Sequence, residues 1–213
     1  MPSLIMSADS KPRWERRKDA RPQELLSAAL DLFVERGFAA TRLDDIAKNA
    51  GVSKGTLYLY FSSKEELFKT VVRENVVPMI GQAEETVDQF TGTSAELFRE
   101  IIMGWWQVMG NTKLSGLSKL MMAEACNFPE LAQFYNEEVI SRSDAMVARM
   151  LKRGIARGEI RPMNLEMAPR ILIAPIIMQM ISRHSANACS VTEDELAPYI
   201  DAYMDMILNG ILV

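Results

Sequence analysis

Histidine is almost missing from this chain: His184 is the single one in 213 residues. Cysteine is nearly as scarce, and Cys126 and Cys189 stand in no metal-ligand or redox spacing. Those two shortages remove most catalytic constellations, since Ser/His/Asp sets, Cys/His pairs and clustered metal ligands all need side chains the chain does not have. A Gly-rich strand-to-helix turn for phosphates is absent as well. No enzyme, no metal and no cofactor is therefore expected. Long apolar runs are also lacking, so no segment is expected to span a bilayer. The opening stretch MPSLIMSADSKPRWERRKDA is too charged for a secretory leader. A cytoplasmic protein with no membrane partner is the expectation, and the few cysteines suit a reducing compartment.

Positive charge is the third shortage. The formal net charge is −4, unusual for a nucleic-acid binder. The deficit is uneven, however. Residues 1–73 hold 13 Lys/Arg against 10 Asp/Glu, whereas residues 74–213 hold 11 against 18. A chain with a basic end and an acidic remainder suits a two-part molecule that turns one face toward phosphate.

What is present is concentrated in TRLDDIAKNAGVSKGTLYLYF, residues 41–61. Leu43, Ile46, Ala47 and Ala50 repeat with helical spacing, with Thr41 as the expected cap and Asp44 at capping-box distance. Gly51 is a helix stop, Val52 an apolar plug, and Ser53 the cap of a second helix from Lys54 to Phe61. Two short helices joined by such a turn can present the second one to the major groove of DNA. Lys54, Gly55 and Thr56 open that second helix, where base edges are met. Tyr58 and Tyr60 can give hydroxyls to phosphates. Leu57 and Phe61 read as core; Tyr58 suits either role. Ser62 and Ser63 cap a further helix with Glu65 and Glu66 behind them.

The stretch from about Arg21 to Leu67 resembles the DNA-binding domain of the TetR (tetracycline-repressor-like) family. The resemblance rests on Ala29, Leu32, Phe33, Gly37-Phe38, Thr41, Asp45-Ile46-Ala47, the unbroken run Ala50 to Tyr58, Tyr60-Phe61, Lys64 and Leu67. It implies an all-α protein: an N-terminal three-helix helix-turn-helix domain followed by a C-terminal helical ligand-binding and dimerisation domain. The divisions expected are a flexible basic arm over 1–18, the DNA-binding domain over 19–66 and the effector and dimer domain over 67–213. The candidate DNA contacts are Thr41, Arg42, Ser53, Lys54, Gly55, Thr56, Tyr58, Leu59, Tyr60 and Lys64. Leu59 departs from the family pattern, which often places a polar residue there. It makes either an apolar contact, such as one to a thymine methyl, or none. The basic arm, with Lys11, Arg13, Arg16, Arg17, Lys18 and Arg21, is either a phosphate-touching arm or a solvated tail.

Helical periodicity continues over 22–36, over 64–76 with Pro78 as a kink or stop, and over 79–90, 94–110, 114–126, 129–157, 164–184 and 192–210. Trp105, Trp106, Met109, Met122, Phe128, Phe134 and Met178 are candidate lining for a pocket that takes a small, largely apolar effector. Residue by residue, each reads first as plain helical core. Pro169 and Pro175 point to a kink or a later start in 164–184. By the resemblance, 164–184 and 192–210 pair with their copies in a homodimer. The implied function is a ligand-responsive repressor released from a palindromic, double-stranded operator. The helix after the reading turn would carry the signal. A DNA-binding architectural protein without an effector is the alternative. His184, Cys126 and Cys189 are expected to be structural or inert.

Overall fold

The computed structural model describes residues 13–184 and 193–212, with side chains from 22 to 184 and 197 to 212. Cys189, residues 1–12 and the side chains of the remaining arm residues lie outside the described part. The described residues are all-α, with one isolated antiparallel bridge between Ile160 and Leu212.

The first three helices and the start of the fourth form the head. α1 is Arg13–Arg36, α2 Leu43–Asn49, α3 Lys54–Tyr60 and α4 Lys64–Asn75. α1 begins before Pro22, where the helix start was expected, and takes in residues 13–18 of the expected arm; residues 1–12 lie outside the described part. The Arg, Lys and Glu residues before Pro22 are good helix formers, and α1 runs through Pro22 despite the lost hydrogen bond and the ring's crowding of the preceding turn. Gly37 (φ 84°) and Gly51 (φ 66°) end α1 and α2 in the left-handed region, which only glycine enters without strain. Ser53 and Ser63 cap α3 and α4 by accepting the amides of Thr56 and Glu66.

The body is α5 Val77–Gln89, α6 Ser94–Trp105, α7 Gly116–Glu124, α8 Pro129–Tyr135, α9 Ser141–Ala156, α10 Ala168–Arg183 and α11 Glu193–Ile211. As expected, the helix before Pro78 stops short of it, at Asn75, and Pro78 occupies the first turn of α5, where its missing donor costs nothing. The expected helix 94–110 passes into a π-helical turn at Trp106–Gly110, and 129–157 contains another at Asn136–Ile140. The segment 164–184 starts later, at Ala168, and Pro175 lies inside it. Near that proline the hydroxyls of Tyr199 and Tyr203 donate to the Pro175 and Leu172 carbonyls, at 3.3 and 2.6 Å. These bonds fasten α11 along α10.

The buried apolar side chains join in one core that runs through head and body. Phe33, Phe38 and Phe68 pack ring against ring at 5.4–5.7 Å beneath the head. Leu97, Phe98, Ile102, Leu117, Leu131, Leu151, Ile176 and Met180 fill the body.

Candidate DNA-reading face and its link to the body

Ile46 and Ala47 of α2 and Leu57 of α3 are buried, as is Phe61, so the two short helices are locked to the aromatic cluster. The Val52 amide donates to Ala47 O at 2.9 Å and closes the turn. With Leu57 turned inward, the opposite side of α3 faces outward. Ser53, Lys54, Gly55, Tyr58 and Leu59 are exposed there, and Thr56 and Tyr60 are partly so. Leu59 is 83% exposed and Tyr58 47%. Arg42 is exposed at the start of α2.

Several of these side chains are already engaged. Ser53 Oγ accepts the Thr56 amide and lies 2.8 Å from Thr56 Oγ1. Lys54 Nζ pairs with Asp44 at 2.8 Å and stands 5.9 Å from the centre of the Tyr58 ring. The hydrogen bond and charge of Asp44 raise the Lys54 pKa. An ion pair this exposed exchanges readily for a phosphate.

Two candidate contacts are corrected. Thr41 is buried, and its hydroxyl donates to Leu32 O at 3.1 Å and Gly37 O at 2.7 Å. It neither caps α2 nor faces solvent; the position before α2 is held by Arg42, whose side chain makes no cap. Thr41 ties the end of α1 to the start of α2. Lys64 is likewise turned inward. Its ammonium donates to Phe38 O, Ala39 O and Thr41 O at 2.7–3.3 Å and lies 4.4 Å from the Phe38 ring centre. Burial lowers its pKa, against the pull of Glu65 and Glu124.

The head is clamped to the body along two helices. α7 packs on α1: Glu124 accepts the Ala39 amide at 3.0 Å, Lys113 pairs with Asp31 at 2.6 Å, and Phe128 meets Phe38 edge-on at 4.7 Å. α8 and the π-turn after it meet α4: Phe134 lies under Lys69 and Arg73, and Arg73 pairs with Glu138 at 3.3 Å. Phe128 and Phe134, expected in a pocket, belong to this clamp. The charged partners Asp31, Glu124 and Glu138 were not singled out from sequence, because they look like any solvated helix charges.

The remaining pocket candidates do not gather in one place. Trp106 and Met109 are buried at the first π-turn and Trp105 is half-buried, whereas Met122 is 68% and Met178 56% exposed. Exposure on the outer faces of α7 and α10 removes those two from an enclosed pocket within one chain. The body does contain buried polar groups. Tyr135 is fully enclosed and its phenol is pushed up to about 12 by burial, with a Ser118 hydrogen bond acting the other way. Gln179 is buried, and its carbonyl oxygen has no partner among the described residues. His184 meets Ser115 at 2.6 Å, and the Lys119 ammonium donates to the His184 carbonyl.

Residues 25–71 match the bacterial regulatory proteins of the tetR family, and residues 87–202 match the tetracyclin repressor-like C-terminal domain. The chain belongs to the TetR family. The second match alone covers more than half of its length. It is 26% identical over 202 residues to the HTH-type transcriptional regulator YfiR of Bacillus subtilis (strain 168), covering 91% of this chain and 94% of that one. It is 27% identical over 162 residues to the fatty acid metabolism regulator protein of the same organism, covering 75% and 82%. Among solved structures, FadR from Bacillus subtilis in complex with stearoyl-CoA shares the fold at a TM-score of 0.72 and 23% identity, over 89% of this chain and 98% of that one. As a TetR-family member the protein is a ligand-responsive, DNA-binding transcriptional regulator and not an enzyme. Among the described residues no helix is long and apolar enough to cross a membrane.

Proposed function

We propose that this regulator is a homodimeric, cytoplasmic repressor, released from a palindromic operator by a small, largely apolar effector bound among the helices of residues 67–213. The head over 19–66 reads DNA through Arg42, Ser53, Lys54, Gly55, Thr56, Tyr58, Leu59 and Tyr60. The observation that carries the reading is the clamp. Glu124, Lys113 and Phe128 hold α1, and Phe134 and Glu138 hold α4, so a shift of α7 or α8 moves the head as a unit.

Dimerisation is supported by an uncovered apolar stripe on the last two helices. Ile171 and Met206 are 67% and 74% exposed, with Ala174 and Met178 along α10 and Ala202 along α11. Water-facing side chains of this kind mark an interface. Two heads in a dimer then address half-sites one DNA turn apart, roughly 34–36 Å. The effector acts by binding better to a state whose heads are spaced wrongly for the operator. Trp106 and Met109 at the π-turn offer adaptable apolar surface near the start of α7, and π-turns are common at functional sites.

Fluorescence anisotropy with DNA from upstream of the gene tests the reading. Lys54→Ala and Tyr60→Ala should each weaken binding; unchanged affinity in both would remove the proposed contact face. Acyl-CoA thioesters of graded chain length form a suitable first effector panel, since FadR was solved with one. A ligand that both raises the melting temperature and releases DNA is the expected outcome.

A further inference from the structure

We propose that Leu59 reads thymine in the operator, by seating its side chain against the 5-methyl group in the major groove. The proposal rests on the DNA-reading role of α3. Leu59 is 83% exposed, and nothing among the described residues covers it. The α3 helix offers few groups that could read guanine, for which a bidentate Arg or Lys is the usual means. Its one cation, Lys54, is paired with Asp44 at 2.8 Å. Thr56 Oγ1 lies 2.8 Å from Ser53 Oγ. Tyr58 and Tyr60 flank Leu59 with hydroxyls suited to phosphates. Leu59 is the aliphatic side chain that α3 turns outward, since Leu57 is buried.

Gly55 lies one turn before Leu59 on the same side of α3. A Cβ built at Gly55 would meet only Ser53 Oγ, at 3.8 Å, so that side of the helix is open. Without side-chain bulk there, α3 can approach the base edges closely enough for Leu59 to touch them. Among the atoms that base pairs present in the major groove, the thymine methyl is the apolar one. A leucine placed instead against amide, carbonyl or ring-nitrogen edges would desolvate them without return. The chemistry of the side chain thus selects its partner.

The test begins with selection of binding sequences from random duplexes by the full-length protein and by Leu59→Ala. Each thymine of the selected half-site is then replaced by deoxyuridine, which removes the methyl and keeps the pairing. At one position per half-site the wild type should lose affinity roughly tenfold over the whole palindrome, as expected for two methyl groups returned to water. Leu59→Ala should bind the thymine and uracil operators equally. The proposal is overturned if uracil is tolerated at every position, or if Leu59→Ala discriminates as the wild type does. Failure of the wild type to enrich any sequence would instead count against DNA reading by α3 as a whole, and this inference would fall with it. Because Leu59 contacts no core, the variant should keep the wild-type melting temperature, which a thermal scan verifies.

Discussion

At the scale of single residues, the head depends on buried polar ties as much as on its reading face. Thr41 satisfies two carbonyls at the joint between α1 and α2. Thr41→Val keeps the shape and removes the donor, so the variant should lose about 1–3 kcal/mol of stability. Thr41→Ser should recover most of it, both measured by denaturant unfolding. Sequence spacing pointed to a cap here, because a Thr ahead of an apolar helix is the ordinary signal; burial of the position is a property of the packed head and has no local signature. His184 carries a pH signature. Its pKa lies below the usual 6.5 through burial, aided by the nearby charges of Arg183 and Lys119. The unfolded chain therefore takes up the proton first, and stability falls as pH drops from about 6.5 toward the depressed folded value. His184→Gln should flatten the change in melting temperature between pH 7.5 and 5.5; an unchanged slope would assign the acid sensitivity elsewhere.

At the scale of elements, α1 and α7 approach each other closely at Gly116. A Cβ at Gly116 would lie 2.4 Å from Val34 Cγ1, and Val34, branched at Cβ, has little freedom to turn away. Gly116→Ala should therefore separate the two helices and destabilise the protein by about 1–3 kcal/mol. If the clamp transmits the effector signal, the same variant should also reduce the effector's effect on DNA affinity. Titrating operator binding with and without the effector measures that loss. The glycine stop at Gly51 was legible, because a left-handed turn leaves a residue-type signature. The π-turns at Trp106–Gly110 and Asn136–Ile140 were not. The buried side chains run through both segments at ordinary helical spacing, Phe98, Ile102, Trp106 and Met109 in one and Leu131, Tyr135 and Val139 in the other, so periodicity gives no sign of the wider turn.

At the scale of the whole molecule, the apolar stripe on α10 and α11 sets a prediction about assembly. Met206→Glu on the exposed face of α11 should shift the protein toward monomer in analytical ultracentrifugation and weaken binding to a two-half-site operator, while leaving the secondary structure by circular dichroism intact. A variant that stays dimeric would move the interface elsewhere. The sequence by itself determined the helical class, the position of the reading turn, the inward placement of Leu57 and Phe61, and the uneven charge, since each of these follows from local periodicity, capping residues and composition. Tertiary structure alone decided which polar groups are spent inside the head and which face outward, and it recast Phe128 and Phe134 from pocket lining into the clamp. Those outcomes depend on which helices meet at a distance along the chain, such as Phe38 with Phe128 or Ala39 with Glu124. Local residue patterns carry no record of such meetings, because the same amphipathic helix is compatible with many neighbours.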